Sequence, residues 1–175
     1  MAGMNKGAIT TSDIVKYGVL AAILIVSKEL LAWLPNIELV TCLLMVYTVE
    51  LGAKAFYPAY VFVLVEILLY GFGIWSFTYL YIWAVLIVVI LIVRKTDEIA
   101  DNLVIMAVIG GIYGLTFGTL SSLVTLVIAG RAAAWAYIVS GLYYDIGHCV
   151  GNVLTVLVLY KPMRKLLVKI LLRTA

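Results

Sequence analysis

A chain of 175 residues in which 66% are hydrophobic and only 12% charged has too little polar surface to close as a water-soluble domain. Its mean hydropathy of +1.19 suits a bilayer instead, and about six helices of ~20 residues would use almost the whole length, leaving no soluble domain. The net charge of +3 does not indicate nucleic-acid binding, because the basic residues flank apolar segments and share no soluble face.

The opening MAGMNKGAITTS is polar and lacks the apolar run of a cleaved leader, so none is expected. A first helix is predicted over 13–34, ended by Leu34-Pro35-Asn36. It carries small residues at Gly18, Ala21 and Ala22 and ionisable ones at Lys28 and Glu29, with Trp33 at its far end. A second helix is predicted over 37–52, with Glu38 and Thr41 at its start and a break at Gly52-Ala53-Lys54. Glu50, four residues before Lys54, reads as half of a surface ion pair. The third segment, 55–71, holds Glu66 and Tyr70 and stops at Gly71-Phe72-Gly73. A loop with Trp75 leads to the fourth, 78–94, which bears Tyr79, Tyr81 and Trp83 and ends in Arg94-Lys95-Thr96-Asp97-Glu98.

In the fifth segment, 102–128, Gly110, Gly114, Gly118 and Ser122 recur every four residues, a seam for close helix packing. Ala129-Gly130-Arg131 separates it from the sixth, 134–160. There Asp145, His148 and Asn152 fall on one helical face, and Gly147 and Gly151 beside them let another backbone approach. The basic tail, 161–175, is predicted as a short amphipathic helix on the membrane surface. Cys42 and Cys149 both lie in apolar segments, where a structural disulfide is not expected.

The fold class expected is therefore an all-α membrane protein, one domain of six transmembrane helices. Every Lys and Arg except Lys28 and Arg131 falls on a single side when the amino terminus is inside, so both termini are predicted cytoplasmic.

That direction gathers the polar groups toward the outer half, as a cavity walled by aromatics. Its candidate ligand contacts are Trp33, Asn36, Glu38, Glu66, Tyr70, Trp75, Tyr79, Tyr144, Asp145 and His148. An intramembrane carboxylate costs ~2.5–3.5 kcal/mol even on lenient scales, so such groups mark a path or a site. The competing readings are ordinary ones. Tyr and Trp also form interfacial belts, Lys28 can neutralise an acid as a structural pair, and His148 and Asn152 can tie helices together.

Several chemistries are excluded. The glycines of GGIYGLTFG are never followed by GK[ST], so the chain does not hydrolyse ATP itself. HExxH and GxSxG are missing, and one histidine without a cysteine cluster holds no metal. No catalytic residue, cofactor or metal is expected. Six helices without an inverted second copy are few for a self-sufficient carrier, which implies a partner.

Taken in order, LPNIELVT at 34–41, YGFGIW and YLYIW within 70–83, DIGHCVGN at 145–152 and KP at 161–162 resemble the S-components of energy-coupling factor (ECF) transporters, the small vitamin-binding subunits of prokaryotic uptake systems. The resemblance covers nearly the whole chain. It implies a protein of the prokaryotic plasma membrane that binds a vitamin, with a shared transmembrane coupling subunit and two ATPase subunits as partners. It further implies docking of that coupling subunit on the patch at Gly18, Ala21 and Ala22, and release of ligand by toppling of the loaded subunit. The pattern is most similar to a cobalamin-type subgroup. An acid-rich cavity favours a neutral or cationic ligand over a phosphate, which also admits riboflavin or a pyridoxine-like ring. A reading of another class is an intramembrane enzyme using Glu29, Glu66 and Asp145 as acid–base groups.

Overall fold

The computed structural model describes residues 9–34 and 36–173, with side chains for all but Asp97 and residues 170–173. Lys6, Pro35 and the side chain of Arg173 lie outside the described residues. Among the described residues every regular element is helical: α1 (Thr11–Leu31), α2 (Val40–Leu51), a 3-10 turn (Gly52–Ala55), α3 (Phe56–Tyr70), α4 (Ile74–Val93), α5 (Asp97–Asp101) and α6 (Leu103–Arg173).

The ends of these helices follow from identifiable caps. Thr10 Oγ1 accepts the Asp13 backbone N–H at 3.2 Å while the Asp13 carboxylate accepts that of Thr10 at 3.1 Å, a reciprocal box that starts α1 at Thr11. Glu38 caps α2, accepting the Thr41 N–H at 2.9 Å. At the other end Gly52 turns the chain with φ 63°, and Arg94 donates to the Thr48 carbonyl at 2.9 Å. α4 begins at Ile74, four residues before the predicted start, because Gly73 donates its N–H to Ser76 Oγ at 3.1 Å. Trp75 therefore sits on a helix, not in a loop.

α6 is two helices in sequence. Gly130, at φ 81°, breaks it into a first arm, 103–129, and a second arm, 131–173. The arms run antiparallel, since Gly118 meets Asp145, Gly114 meets His148 and Gly110 meets Asn152. No break separates the basic tail from the second arm. The helix continues through Pro162, and Leu167 beyond it is buried in the common core, which holds the last turns in line.

α2 is the hub. All ten residues from Val40 to Val49 are buried, so this helix is enclosed on every side by α1, α4 and α6. Around it Leu24, Phe62, Leu86, Ile90 and Met106 are shielded completely. The outside is also apolar, with Leu68, Val104, Val127, Val139 and Val158 each more than half exposed. Three stretches, Val40–Tyr70, Ile74–Val93 and Leu103–Lys169, are long and apolar enough to cross a membrane. That is compatible with a membrane protein, and exposed apolar surface on this scale is otherwise rare.

Candidate functional site

The α1–α2 connection and the amino-terminal end of α2 face a hollow of about 520 Å³. Its polar lining is Lys28, Asn36, Glu38, Ser140, Asp145 and His148, and its aromatic lining is Tyr79, Trp83, Phe117, Tyr137 and Tyr144. A smaller hollow of about 270 Å³ adjoins it, sharing Lys28 and Tyr79 and adding Glu66, Tyr70 and Trp75.

Each acid is anchored by a different device. Glu66, fully buried on α3, accepts a hydrogen bond from Lys28 of α1, and its Oε1 has no partner among the described residues. Lys28 also lies 3.7 Å from Glu29 and 4.6 Å above the Tyr70 ring, while the Tyr70 hydroxyl donates to Glu29 at 2.6 Å. Glu38 is held at the amino end of α2, where the helix dipole favours an anion, with His148 Nε2 at 3.3 Å. Asp145 accepts the backbone N–H of Gly118 across the α6 hairpin at 2.9 Å.

The hairpin explains this last contact. The glycine seam of the first arm and the polar face of the second are two halves of one joint. An added Cβ at Gly118 would meet the Asp145 carboxylate at 2.5 Å, and at Gly114 the His148 carbonyl at 2.8 Å. Lower down, Asn152 Nδ2 donates to the Gly110 carbonyl at 3.1 Å. On the neighbouring face, Gly151 would carry a Cβ 2.7 Å from the Asn36 carbonyl, so Gly147 and Gly151 seat the α1–α2 connection. Asn36 itself sits at φ 60°, the left-handed region that its short amide side chain tolerates.

Trp75, Tyr79 and Trp83 repeat every four residues along α4 and form one inward stripe. Successive rings meet edge to face at 5.2 and 5.6 Å, and the series passes to Phe117 at 6.1 Å and on to His148 at 4.9 Å. Trp83 Nε1, buried beside the larger hollow, has no hydrogen-bond partner among the described residues. The two hollows thus offer aromatic walls, an unpartnered indole donor, an unpartnered carboxylate oxygen and more carboxylates than Lys or Arg side chains.

No family model, curated protein or solved structure matches this chain. Its functional reading rests on its own residues.

Of the residues singled out from sequence, Asn36, Glu38, Tyr79, Tyr144, Asp145 and His148 line the larger hollow, and Glu66, Tyr70, Trp75 and Tyr79 the smaller. Trp33 lines neither and is 74% exposed at the end of α1. Gly18 and Ala22 are exposed on α1, but Ala21 is fully buried within the bundle and cannot share a docking face with them. Glu50 does not pair with Lys54. α2 ends at Leu51, so no helical face joins the two, and Arg164 takes the Glu50 carboxylate instead. Sequence reasoning missed Val40, Phe117, Ser140 and Gly141 in the lining. Phe117 alone left a signal, one residue before a glycine of the seam.

Proposed function

We propose that this protein is a substrate-binding S-component of an ECF-type importer, capturing a vitamin-sized ligand in the hollow between α1, α2, α4 and the α6 hairpin. In this reading six helices cross the plasma membrane of a prokaryotic cell: α1 to α4 and the two arms of α6. Both termini are cytoplasmic and the hollow opens outward. The observation that carries the proposal is the pairing of an aromatic-walled cavity with two buried polar atoms, Trp83 Nε1 and Glu66 Oε1, that lack partners among the described residues. Leaving such an atom unsatisfied costs about 1–3 kcal/mol; both are covered in this structure, so a ligand's donor and acceptor would offset that cost as the side chains over them move aside.

The electrostatics select the ligand class. Lys28 is engaged by Glu66 and Glu29, so Glu38 and Asp145 keep the hollow acidic and disfavour phosphates and dicarboxylates. A neutral or cationic ring stacked on Tyr79, Trp83 or Phe117 suits it. Hollows of roughly 300–1,000 Å³ enclose drug-sized ligands, and a corrinoid with its nucleotide arm is larger than that. The adjoining hollows of about 520 and 270 Å³ suit a riboflavin- or pyridoxine-sized molecule, whereas the cobalamin that the sequence resemblance favours would have to extend through the open mouth. Energy for release comes from a coupling subunit and two ATPases, and the exposed Gly18 and Ala22 of α1 provide a flat contact for the former.

Calorimetric titration of the purified chain in detergent with riboflavin, pyridoxine, thiamin, folate and cobalamin tests this. Nanomolar binding of one small ring compound is the expected result. Cobalamin binding would overturn the size argument and keep the class. Silence from all five, or turnover of a lipid or peptide by the chain alone, would overturn the class.

A further inference from the structure

The end of the molecule away from the hollow carries a second constructed site. Tyr160 is fully buried and donates its hydroxyl to the Ala100 carbonyl at 2.8 Å, fastening α5 to the second arm. One turn on, Arg164 hydrogen-bonds through Nε to Glu50 of α2 and through Nη1 to Asp101 of α5. These contacts frame a groove of about 780 Å³.

With both carboxylates engaged by Arg164, the other charged groups lining the groove are all positive: Lys161, Lys165 and Lys169. They stand four residues apart, so they form one stripe of the second arm, where like charges repel unless an anion joins them. The same stripe runs back toward the hollow as exposed Val150, Leu154 and Leu157. A basic cluster thus sits where the apolar face of a long helix ends.

We infer that this groove seats the headgroup of an anionic phospholipid, with its acyl chains along Val150, Leu154 and Leu157. The three ammonium groups meet the phosphate, and the aliphatic stripe continues in line with them. A soluble phosphate would satisfy only the first half of that surface. The inference requires the second arm to lie in a bilayer and is independent of the ligand taken by the hollow.

The test uses the purified full chain in a neutral detergent, with lipid binding followed by native mass spectrometry. Phosphatidylglycerol, phosphatidylcholine and inorganic phosphate are compared. The wild type is expected to retain phosphatidylglycerol in preference to phosphatidylcholine, and to ignore inorganic phosphate at the same concentration. Lys161→Gln, Lys165→Gln and Lys169→Gln together should weaken phosphatidylglycerol binding by roughly two orders of magnitude, since each basic residue near a membrane surface contributes several-fold. The matching triple Lys→Arg variant should retain it. Equal binding of phosphatidylcholine, an unchanged Gln variant, or competition by inorganic phosphate at equal concentration would overturn the inference. Should the Gln variant fail to fold, the wild-type lipid comparison and the Arg variant decide it.

Discussion

Lys28 and Glu66 tie α1 to α3 through a buried ion pair that, in the proposed function, also meets the ligand. Glu66 is fully buried, and without the Lys28 ammonium it would be an uncompensated charge between α1 and α3. Removing one partner of a buried pair costs about 3–5 kcal/mol, whereas replacing both by apolar groups of similar volume is often neutral. Lys28→Met alone is therefore expected to lower the stability of the purified chain by about 3–5 kcal/mol in denaturant titrations. Lys28→Met with Glu66→Leu should recover most of that loss and still bind ligand poorly, because the Glu66 acceptor is gone. A stable single variant would mean that the pair does not form. Full ligand affinity in the double variant would assign the pair to structure alone.

At the scale of elements, the α6 hairpin is closed by backbone against backbone. The Cβ of Gly114→Ala would stand 2.8 Å from the His148 carbonyl carbon and oxygen, and a helix backbone cannot step aside as a side chain can. Overpacking of this kind costs typically 1–3 kcal/mol. Gly114→Ala should lower the melting temperature in detergent by several degrees, while Gly141→Ala, with nothing within 4 Å, should leave it unchanged. Equal effects would place the seam elsewhere. Both halves of this joint were legible in sequence, as a four-residue glycine repeat and as the Asp145, His148, Asn152 face. Their mating was not, because it depends on the register that Gly130 sets, and periodicity within one helix carries no information about its neighbour. For the same reason the partner of Lys28 stayed open between Glu38 and Glu66, and that of Glu50 escaped: Glu66 and Arg164 lie 38 and 114 residues away. Trp75 was misplaced because Gly71 and Gly73 read as a longer loop than the Ser76 cap permits. Trp33 was drawn in by its proximity in sequence to Asn36 and Glu38, although the chain leaves α1 before it turns inward.

For the whole molecule, the hollow and the basic groove occupy opposite ends, which makes orientation measurable. Glu38 and Glu50 bracket α2, whose 12 residues place the two sites about 18 Å apart along its axis. With the hollow outward, Trp33→Cys and Arg131→Cys, each in a chain lacking Cys42 and Cys149, should react with an impermeant maleimide on intact cells. Lys54→Cys and Lys95→Cys should react only after permeabilisation. Any mixture of the two patterns would sink the six-span topology.

The enclosure of α2 also bears on how the protein is made. In the six-span reading, this rod of about 18 Å crosses a hydrocarbon layer of ~30 Å only together with its flanking irregular backbone, which is tolerated at that depth only under a protein cover. Much of this cover is the α6 hairpin, residues 103–173, and Glu38 and Glu50 find His148 and Arg164 only there. If the chain spans a bilayer as proposed, α2 cannot reach its final packing before the second arm of α6 is made, and a chain ending before residue 131 would leave Glu38 and Glu50 without these partners.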